Sequence, residues 1–398
     1  MTHGQPTTEN RQPRAARTVV IGPVPPYRAG IAYCTMRLAQ ELGAAVISFK
    51  RQFPQFLYPG ASDVDPTLPR FERARFLLDV VNPLTWIRTA LLLRREKPDA
   101  VIMVWWVWVW AIPYLTLLAL LPRKTRVVLQ CHNIGDKEPA AWKRFLTNRV
   151  LRRGDVLVVH AKTEAEDAAR RVIPSEVEES PTSAGDPSTS LGMTPARIVT
   201  TFLPVHELGG AIPSRDDARR QLGLDGNVAL FFGHVRPFKG LDIALRAWPR
   251  LRTQVTLVVA GEAWWKGEAE YRELARGLEN VVLDFRFIPN AEIATYFAAA
   301  DVVLAPYRIE AQSGVALTAF HFARPVIATT VGGLPEIIEE GGNGMLVPPE
   351  DPAALAAAVD AFFARGDREA MERRAAASAR KYSWEEYGAL MKRLVAGE

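Results

Sequence analysis

The chain has 398 residues, of which 48% are hydrophobic and 23% charged. Because one hydrophobic core rarely serves more than about 250 residues, we expect two or three domains. The formal net charge of +5 favours an anionic ligand or an anionic membrane surface, whereas nucleic acid is disfavoured because no dense Lys/Arg cluster is interleaved with aromatic residues. The two cysteines, Cys34 and Cys131, provide no disulfide framework, and the polar first sixteen residues lack the apolar core of a signal peptide, so we expect a cytoplasmic protein.

Short apolar strands alternate with amphipathic helices from Arg17 onward, which indicates α/β units and a mostly parallel sheet. In the first half of the chain, strands are predicted at Thr18–Ile21, Ala45–Phe49, Ala100–Trp106, Arg126–Gln130 and Val156–His160. The helices predicted between them are Ile31–Leu42, Pro83–Glu96, Ala140–Arg152 and Lys162–Arg171.

The run from Val101 to Pro122 contains no charged residue and four of the ten tryptophans, so it is long enough to span a membrane. Its first part mixes β-branched and aromatic residues, which favour a strand. Pro113 is expected to break the run before a short helix over Tyr114–Leu121. We therefore predict a strand buried on both faces, then a loop and a helix, rather than a transmembrane span.

The second half repeats the α/β pattern from Asn227 onward. Strands are predicted at Val228–Phe232, Val255–Ala260, Val281–Asp284, Val302–Ala305 and Pro325–Ala328, and helices at Leu241–Leu251, Glu292–Ala299, Val315–Ala323 and Pro352–Phe363. Two such series predict two doubly wound domains that bind ligands at the carboxyl ends of their strands. Between the series, residues 173–195 are rich in Ser, Thr and Pro without any period, so we expect a disordered insert.

Three glycine-containing loops follow predicted strands of the second domain. The loop 233–240 combines glycines with His234, Arg236 and Lys239, an arrangement suited to phosphate. Gln312, Ser313 and Gly314 open a helix whose first amide groups can face an anion. A third glycine turn, at 331–336, also leads into a helix. Because all three loops leave the same edge of one sheet, they predict a single anion site.

These motifs resemble those of the family 4 retaining glycosyltransferases. The resemblance rests on GHVRPFKGLD at 233–242, PYRIEAQSGV at 306–315, RPVIATTVGGLPEII at 324–338, PVPPYRAGIA at 23–32 and LQCHNIGDKEP at 129–139. It implies the GT-B fold, in which two Rossmann-like, doubly wound α/β domains face a central cleft. The domains implied are a disordered tail (1–16), an acceptor-binding domain (17–208), a nucleotide-sugar-binding domain (209–380) and a C-terminal helix (381–398) packing back on the first domain.

The resemblance implies that the second domain holds a nucleotide-diphosphate sugar. Lys239 matches the lysine that pairs with the diphosphate, and Glu310 matches the glutamate that contacts sugar hydroxyls. His234 replaces the family's arginine, so Arg236 is expected to take its role, because histidine is a poor fixed cation at neutral pH. Thr318 replaces the glutamate that grips the ribose. The remaining donor-binding residues implied are Gly233, Gln312, Ser313, Gly314 and Val315.

In the first domain the resemblance places Gly30 beside the phosphate and His132 beside the donor sugar. Gly30 follows Ala29, where the family usually has a second glycine. Trp105 and Trp106 are predicted at the end of a strand, facing the cleft where an acceptor would stack on them. The catalytic set expected is therefore His132, Arg236, Lys239 and Glu310.

The implied reaction retains the anomeric configuration and passes through an oxocarbenium-like state. Cations and helix amides stabilise the leaving diphosphate, which itself takes the acceptor's proton, so no metal or other cofactor is expected. The alternative metal-binding triplet Asp63-Val64-Asp65 lies in a proline-rich loop without a flanking strand. The partners expected are a nucleotide-diphosphate sugar and a glycan or lipid-linked saccharide acceptor, and no nucleic acid.

The predicted helix Pro83–Glu96 is basic and amphipathic, with Arg88, Arg94 and Arg95 beside leucines, which favours peripheral contact with the inner face of the cell membrane over a span. A solvated basic face on a core helix is the simpler interpretation. Three alternatives to an active transferase remain: a nucleotide-sugar-binding protein of the same fold, weakened at His234 and Thr318, an epimerase of the same fold, and an integral membrane protein.

Overall fold

The computed structural model describes residues 17–28, 30–54, 58, 62–134, 140–172, 197–205, 211–264, 267–309 and 312–398. The predicted tail 1–16, the predicted insert 173–195, Ala29 and Glu310 lie outside these described residues.

Seven parallel strands form the first sheet. They are β1 (Thr18–Ile21), β2 (Ala45–Arg51), β3 (Ala74–Asp79), β4 (Ala100–Trp105), β5 (Arg126–Cys131), β6 (Val156–Val159) and β7 (Arg197–Thr200), in the spatial order β3-β2-β1-β4-β5-β6-β7. The helices of this half are α1 (Gly30–Leu42), α2 (Pro83–Glu96), α3 (Ala111–Leu120), α4 (Ala141–Leu151) and α5 (Lys162–Val172). Val101 of β4 lies in register with Val19 of β1 and Val127 of β5.

Six parallel strands form the second sheet. They are β8 (Asn227–Phe232), β9 (Val255–Ala260), β10 (Val281–Asp284), β11 (Val302–Ala305), β12 (Val326–Thr329) and β13 (Gly344–Val347), in the order β10-β9-β8-β11-β12-β13. The helices of this half are α6 (Arg215–Leu222), α7 (Leu241–Ala247), α8 (Gly267–Leu274), α9 (Asn290–Ala299), α10 (Gly314–His321), α11 (Leu334–Ile337), α12 (Pro352–Ala364), α13 (Arg368–Lys381) and α14 (Trp384–Ala396). The predicted α/β class with two doubly wound sheets is confirmed.

The charge-free run 101–122 is divided between β4, a 3₁₀ turn at Trp108–Trp110 and α3. The prediction that Pro113 breaks this run was wrong. Pro113 occupies the first turn of α3, where a backbone N–H has no partner within the helix and its loss costs little. Within the described part of the chain, no helix has the length and apolarity needed to span a membrane.

Two local differences from the sequence prediction have simple causes. The predicted helix Leu241–Leu251 ends as an α-helix at Ala247 and continues as a 3₁₀ turn over Trp248–Arg250, because Pro249 has no N–H to donate. Strand β3 was not predicted, because it carries charges at both ends and most of its residues are only half-buried.

The last helix, α14, packs on the first domain, against α1, β4 and β5. Gln130 of β5 donates its Nε2 to the hydroxyl of Tyr387 at 2.8 Å, and both side chains are buried. The indole of Trp384 donates to the carbonyl of Val205 at 2.9 Å, near the start of the second domain. Helix α14 therefore ties the chain's end to the sheet that its beginning forms.

Candidate functional site

The order of the strands reverses between β1 and β4 in the first sheet and between β8 and β11 in the second. Ligands of open parallel sheets bind at such points, beyond the carboxyl ends of the strands. Residues 22–28 follow β1, loop 233–240 follows β8, and residues 306–309 follow β11. Three of the motifs singled out from the sequence therefore lie at the two switch points, whereas those at 129–139 and 324–338 follow the neighbouring strands β5 and β12.

Close contacts fix the loops of the second domain against each other. Gly240 has a φ of 70°, and a Cβ at this position would lie 1.9 Å from the carbonyl oxygen of Pro306, so only glycine fits. At Gly233, with a φ of 94°, an added Cβ would lie 3.5 Å from a methyl of Val315. The glycine loop after β8 and the start of α10 therefore lie side by side.

The two cations of the loop are held over aromatic rings. The guanidinium carbon of Arg236 lies 3.8 Å from the ring centroid of Trp264, and Nζ of Lys239 lies 3.8 Å from that of Tyr307. Both cationic side chains are half-buried. A cation over an aromatic face in a partly desolvated place is worth about 1–2 kcal/mol and keeps a long side chain in one position.

His234 packs against Trp264 with ring centroids 4.7 Å apart. Burial lowers the pKa of His234 to about 3, helped by the charges of Arg236, Lys239 and Arg28. The imidazole is therefore neutral at physiological pH and cannot replace the family's arginine as a fixed cation. The positive charge of this loop is carried by Arg236 and Lys239.

Helix α10 begins beside these cations. Ser313 is its N-cap, and its Oγ accepts from the N–H of Ala316 at 3.3 Å. Gly314 and Val315 are its first two residues, so their N–H groups have no partner within the helix ladder. The predicted Gln312 and Thr318 are engaged elsewhere: the amide oxygen of Gln312 accepts from the N–H of Leu203, and the hydroxyl of Thr318 donates to the carbonyl of Gly314.

In the first domain, Gly30 is the first residue of α1, directly after the loop that leaves β1. The backbone N–H of His132 donates to the carbonyl of Trp105 at 2.8 Å, which fixes the chain immediately after β5. The ring of His132 lies 5.2 Å from that of His160, a fully buried residue whose pKa burial lowers to about 4. Sequence reasoning did not identify His160, because a lone buried histidine usually has a structural role.

The prediction that both Trp105 and Trp106 face the cleft was wrong for Trp105. Its indole is 1% exposed and packs 6.2 Å from Tyr114 of α3, between the first sheet and its helices. Trp106 is half-buried, and its ring centroid lies 5.7 Å from that of Phe49. Trp105, Trp106 and Trp108 all line one small cavity, but of the predicted pair only Trp106 is partly exposed. Only Trp106 is left as an acceptor-stacking candidate.

The candidate triplet Asp63-Val64-Asp65 does not form a metal centre with other described residues. Asp65 of the candidate triplet 63–65 is 1% exposed, and its Oδ1 accepts from the N–H and the hydroxyl of Thr67, so it stabilises a turn. No group of three or more His, Cys, Asp or Glu among the described residues could hold a metal ion. The predicted role of Glu310 concerns a residue outside the described part of the chain.

Among the described residues, polar links join the two domains across the cleft. Arg28 pairs with Glu262 at 3.9 Å, the N–H of Lys162 donates to Glu336 at 2.9 Å, and the N–H of Leu203 donates to Gln312. Arg28 and Trp264 were not identified from the sequence. Trp264 does follow the strand β9, and an aromatic pair at the carboxyl end of a parallel strand was a usable signal.

Comparisons with known proteins agree with this geometry. Residues 226–365 match the family model "Glycosyl transferases group 1". The D-inositol 3-phosphate glycosyltransferase of Geodermatophilus obscurus is 31% identical over 291 residues, covering 69% of this chain and 59% of that protein. That of Mycobacterium leprae is 38% identical over 181 residues, covering 43% of this chain and 42% of that protein. The chain thus spans at most about 60% of the length of these curated relatives.

Solved structures share the fold over almost the whole chain. Sucrose-phosphate synthase from Thermosynechococcus elongatus is similar with a TM-score of 0.70 at 19% identity, covering 96% of this chain and 98% of that one. Anabaena HepE, in complex with UDP-glucose, gives a TM-score of 0.71 at 16% identity, covering 96% and 100%. The chain therefore has the GT-B fold and belongs, through its C-terminal domain, to the glycosyl transferases group 1 family.

Proposed function

We propose that the protein transfers a sugar from a nucleotide-diphosphate sugar to a glycan or lipid-linked saccharide acceptor, with retention of the anomeric configuration. The observation that carries this proposal is the convergence of Arg236, Lys239 and the first N–H groups of α10 around the neutral His234. Cations and helix amides together favour a doubly charged ligand such as a diphosphate.

In the proposed reaction the bond between the anomeric carbon and the diphosphate breaks, so negative charge grows on the leaving oxygen. Arg236 and Lys239 are already held over Trp264 and Tyr307, so they need little reorganisation to stabilise that charge. Preorganised donors of this kind are worth about 3 kcal/mol each. The acceptor oxygen bonds to the anomeric carbon on the face that the diphosphate leaves, and the leaving phosphate takes the proton of the acceptor hydroxyl. No metal ion is required in this scheme.

Relatives support the substrate class. The curated relatives are named glycosyltransferases, and Anabaena HepE has been solved in complex with UDP-glucose. For this chain we infer a nucleotide-diphosphate sugar as donor and a role in polysaccharide or glycoconjugate biosynthesis.

A second candidate function is binding of a nucleotide sugar without turnover. Two observations favour it: His234 is uncharged, and the hydroxyl of Thr318 is bonded within its own helix. Both residues stand where family members have charged side chains. This alternative predicts tight nucleotide binding without donor hydrolysis or transfer.

The test is a thermal-shift screen of the full chain with UDP, GDP, ADP and their sugar derivatives, with and without EDTA. A ligand that binds only the folded state raises Tm according to its concentration relative to Kd. We expect one base to raise Tm whether or not EDTA is present, and the matching sugar nucleotide to be hydrolysed slowly. Binding without any hydrolysis or transfer would favour the second function, and no shift with any nucleotide would reject the proposal.

We further propose a peripheral location at the inner face of the cell membrane. The outward face of α2 exposes Leu84 (60%), Ile87 (42%) and Leu91 (52%), interspersed with the exposed Arg88, Arg94 and Arg95. These positions recur at helical spacing, so they form one stripe. Apolar side chains among cations suit an anionic lipid surface, where the apolar part enters the headgroup region and the cations meet phosphates.

Helix α4 continues this surface. Its outward side chains include Trp142 and Phe145, which are 53% and 57% exposed, and the exposed Arg144 and Arg149. Helix α3 lies between α2 and α4 and exposes Ile112. We call the outward faces of these three helices the α2–α4 face. The first domain, which we propose binds the acceptor, would then lie on the membrane that carries a lipid-linked acceptor.

A further inference from the structure

Arg28 reaches from the first domain into the second, and its backbone is firmly held. Its N–H donates to the carbonyl of Asp63 at 2.8 Å, and the hydroxyl of the preceding Tyr27 donates to the carbonyl of Phe49 at 2.8 Å. The side chain projects across the cleft, where its guanidinium carbon lies 4.0 Å from the ring centroid of Phe287. The position of this cation is therefore set by both domains.

The hydrogen-bonding capacity of Arg28 is poorly used in the described part of the protein. A guanidinium has five N–H donors and usually pairs with a carboxylate through two short bonds. Its link to Glu262 is a single contact of 3.9 Å from Nη1, which is too long for a hydrogen bond. Its Nε is buried with no hydrogen-bond acceptor among the described residues. The side chain is only 12% exposed, so these donors have little access to water.

Arg28 shares the electrostatic environment of Arg236 and Lys239. All three cations lower the pKa of His234, so all three act on the same small region. The carboxylates that face Arg28 are Glu262 and Asp63, and burial raises the pKa of Asp63. Among the described residues, these three cations and two carboxylates leave an excess of positive charge in a partly desolvated place, which an anionic ligand would balance.

We propose that Arg28 is a third cation for the diphosphate of the bound nucleotide, supplied by the opposite domain, and that it exchanges Glu262 for a phosphate oxygen. This inference rests on the proposed nucleotide-binding function. It adds Arg28 to the proposed site, as a cation that reaches the ligand from the first domain. In the exchange Arg28 leaves a weak contact of 3.9 Å and forms short charge-assisted bonds. Glu262 thus competes with the ligand for Arg28, and ligand binding links the first domain to the second.

The exchange predicts opposite effects for the two partners. We expect Arg28→Ala to weaken the binding of a nucleoside diphosphate about tenfold to a hundredfold, since a bond to a charged group is worth about 1.5–3 kcal/mol. Glu262→Gln removes the competing charge but keeps an acceptor for the indole N–H of Trp264, which donates to Glu262 at 3.4 Å. We expect this variant to bind the diphosphate several-fold more tightly than the wild type.

The experiment is calorimetric titration of the full-length wild type and variants with UDP, GDP and ADP and with the matching monophosphates, at two salt concentrations. Arg51→Ala is the matched control, because Arg51 also belongs to the first domain and pairs with a carboxylate, Asp79, at 2.7 Å. Arg28→Lys serves as a second variant if Arg28→Ala fails to fold. It keeps the charge but not the fork of donors, so we expect an intermediate loss.

The outcomes separate this inference from the proposed function. Failure of the wild type to bind any of the three diphosphates would reject the proposed function itself. Wild-type affinity in Arg28→Ala, in a protein that does bind, would overturn the inference and leave the proposed function standing. Weaker diphosphate binding by Glu262→Gln would overturn the exchange. Support requires weaker binding by Arg28→Ala, unchanged binding by Arg51→Ala and tighter binding by Glu262→Gln.

Discussion

The guanidinium of Arg236 lies over the indole of Trp264, 3.8 Å from the ring centroid, and the ring of His234 packs on the same indole at 4.7 Å. Two side chains of the cationic loop after β8 thus pack on Trp264, which holds the loop in position. It is itself 8% exposed and contributes no charge. Its contribution to ligand binding is therefore expected to be indirect, through the position of Arg236.

Replacing Trp264 tests that contribution. Trp264→Ala removes the aromatic face and should weaken nucleoside diphosphate binding about tenfold, because a desolvated cation–π contact is worth about 1–2 kcal/mol. Trp264→Phe keeps an aromatic face and should stay within about threefold of the wild type. Calorimetric titration measures both, with Tm recorded to verify folding. Equal losses in both folded variants would contradict a supporting role for the aromatic face.

Lys239→Ala tests the electrostatic part of the mechanism. Loss of one preorganised positive charge near the leaving group should lower kcat about 10²–10³-fold. Lys239 is half-buried in a loop, so Tm should change by only a few degrees. The control is Lys381→Ala, which removes a surface lysine paired with Glu339 at 2.8 Å and should leave kcat unchanged. Wild-type turnover in Lys239→Ala would remove this residue from the mechanism.

The pH dependence of the free energy of unfolding should reflect the protonation of His160. Burial lowers its pKa to about 4 in the folded protein, against an ordinary value of 6.5. Above pH 6.5 this residue is neutral in both the folded and the unfolded state. Because the folded state disfavours the proton, the residue costs stability progressively as the pH falls towards 4. At pH 5 the cost should be about 2 kcal/mol.

Urea unfolding at pH 7 and pH 5 checks this expectation. His160→Gln cannot titrate, so its free energy of unfolding should fall less between the two pH values than that of the wild type. The buried His234, whose pKa is about 3, acts in the same direction and remains in the variant. The quantity compared is therefore the slope of the free energy of unfolding against pH, in the wild type and in the variant. Equal slopes in wild type and variant would contradict the assignment.

Tyr387→Phe tests the attachment of α14 to the first sheet. The change removes the hydroxyl that accepts from Gln130 at 2.8 Å and leaves a buried amide group without that partner. An unsatisfied buried donor costs about 1–3 kcal/mol, so we expect that loss in the free energy of unfolding. Tyr382→Phe, which removes a hydroxyl just before α14, is the control. A smaller effect at Tyr387 than at Tyr382 would mean that the buried bond contributes little.

The proposed membrane location is tested on the α2–α4 face. The double variant Ile87→Ser/Leu91→Ser should reduce sedimentation with vesicles of phosphatidylglycerol and phosphatidylcholine at least about tenfold, since two apolar side chains no longer enter the lipid. Ile212→Ser/Val282→Ser makes the same chemical change at exposed positions outside the first domain, which are 52% and 42% exposed, and should have no effect. Equal vesicle binding by wild type and the Ile87/Leu91 variant would reject this location.

The central strands of both sheets were predictable because helices cover them on both sides, so their sequences are continuous apolar runs. Strands β4, β5, β8, β9 and β11 were predicted to within one or two residues, and so was the edge strand β10, which has apolar residues at three of its four positions. The edge strand β7 was not predicted, since its four residues are exposed or half-buried. An edge strand has a neighbour on one side only, so its sequence carries a weaker signal.

The orientation of Trp105 shows why part of the site could not be predicted. In β4, Val101, Met103 and Trp105 point to the side of α2 to α5, whereas Ile102 and Val104 point to the side of α1 and α14. A strand that is apolar on both faces contains no alternation of polar and apolar residues, so the sequence does not reveal which side a given residue takes.

The loops after the strands could be predicted from their glycines and cations, but the contacts across the cleft could not. Arg28 and Glu262 are separated by most of the chain, and although Arg28 lies in the motif at 23–32, nothing in the sequence indicates that it pairs with Glu262. Only the folded arrangement of the two domains brings them together. The residues that are least predictable from the sequence are thus those that connect one domain to the other.

The bond between Gln130 and Tyr387 has a consequence for how the protein is made. Its acceptor lies 257 residues further along the chain than its donor. A ribosome adding about 5–20 residues per second needs roughly 10–50 seconds to cover that distance. For that time the nascent first domain carries an uncovered apolar surface between α1 and its sheet, including Leu38 and Val104. The first domain therefore depends on α14, which is synthesised long after it, before its own core is complete.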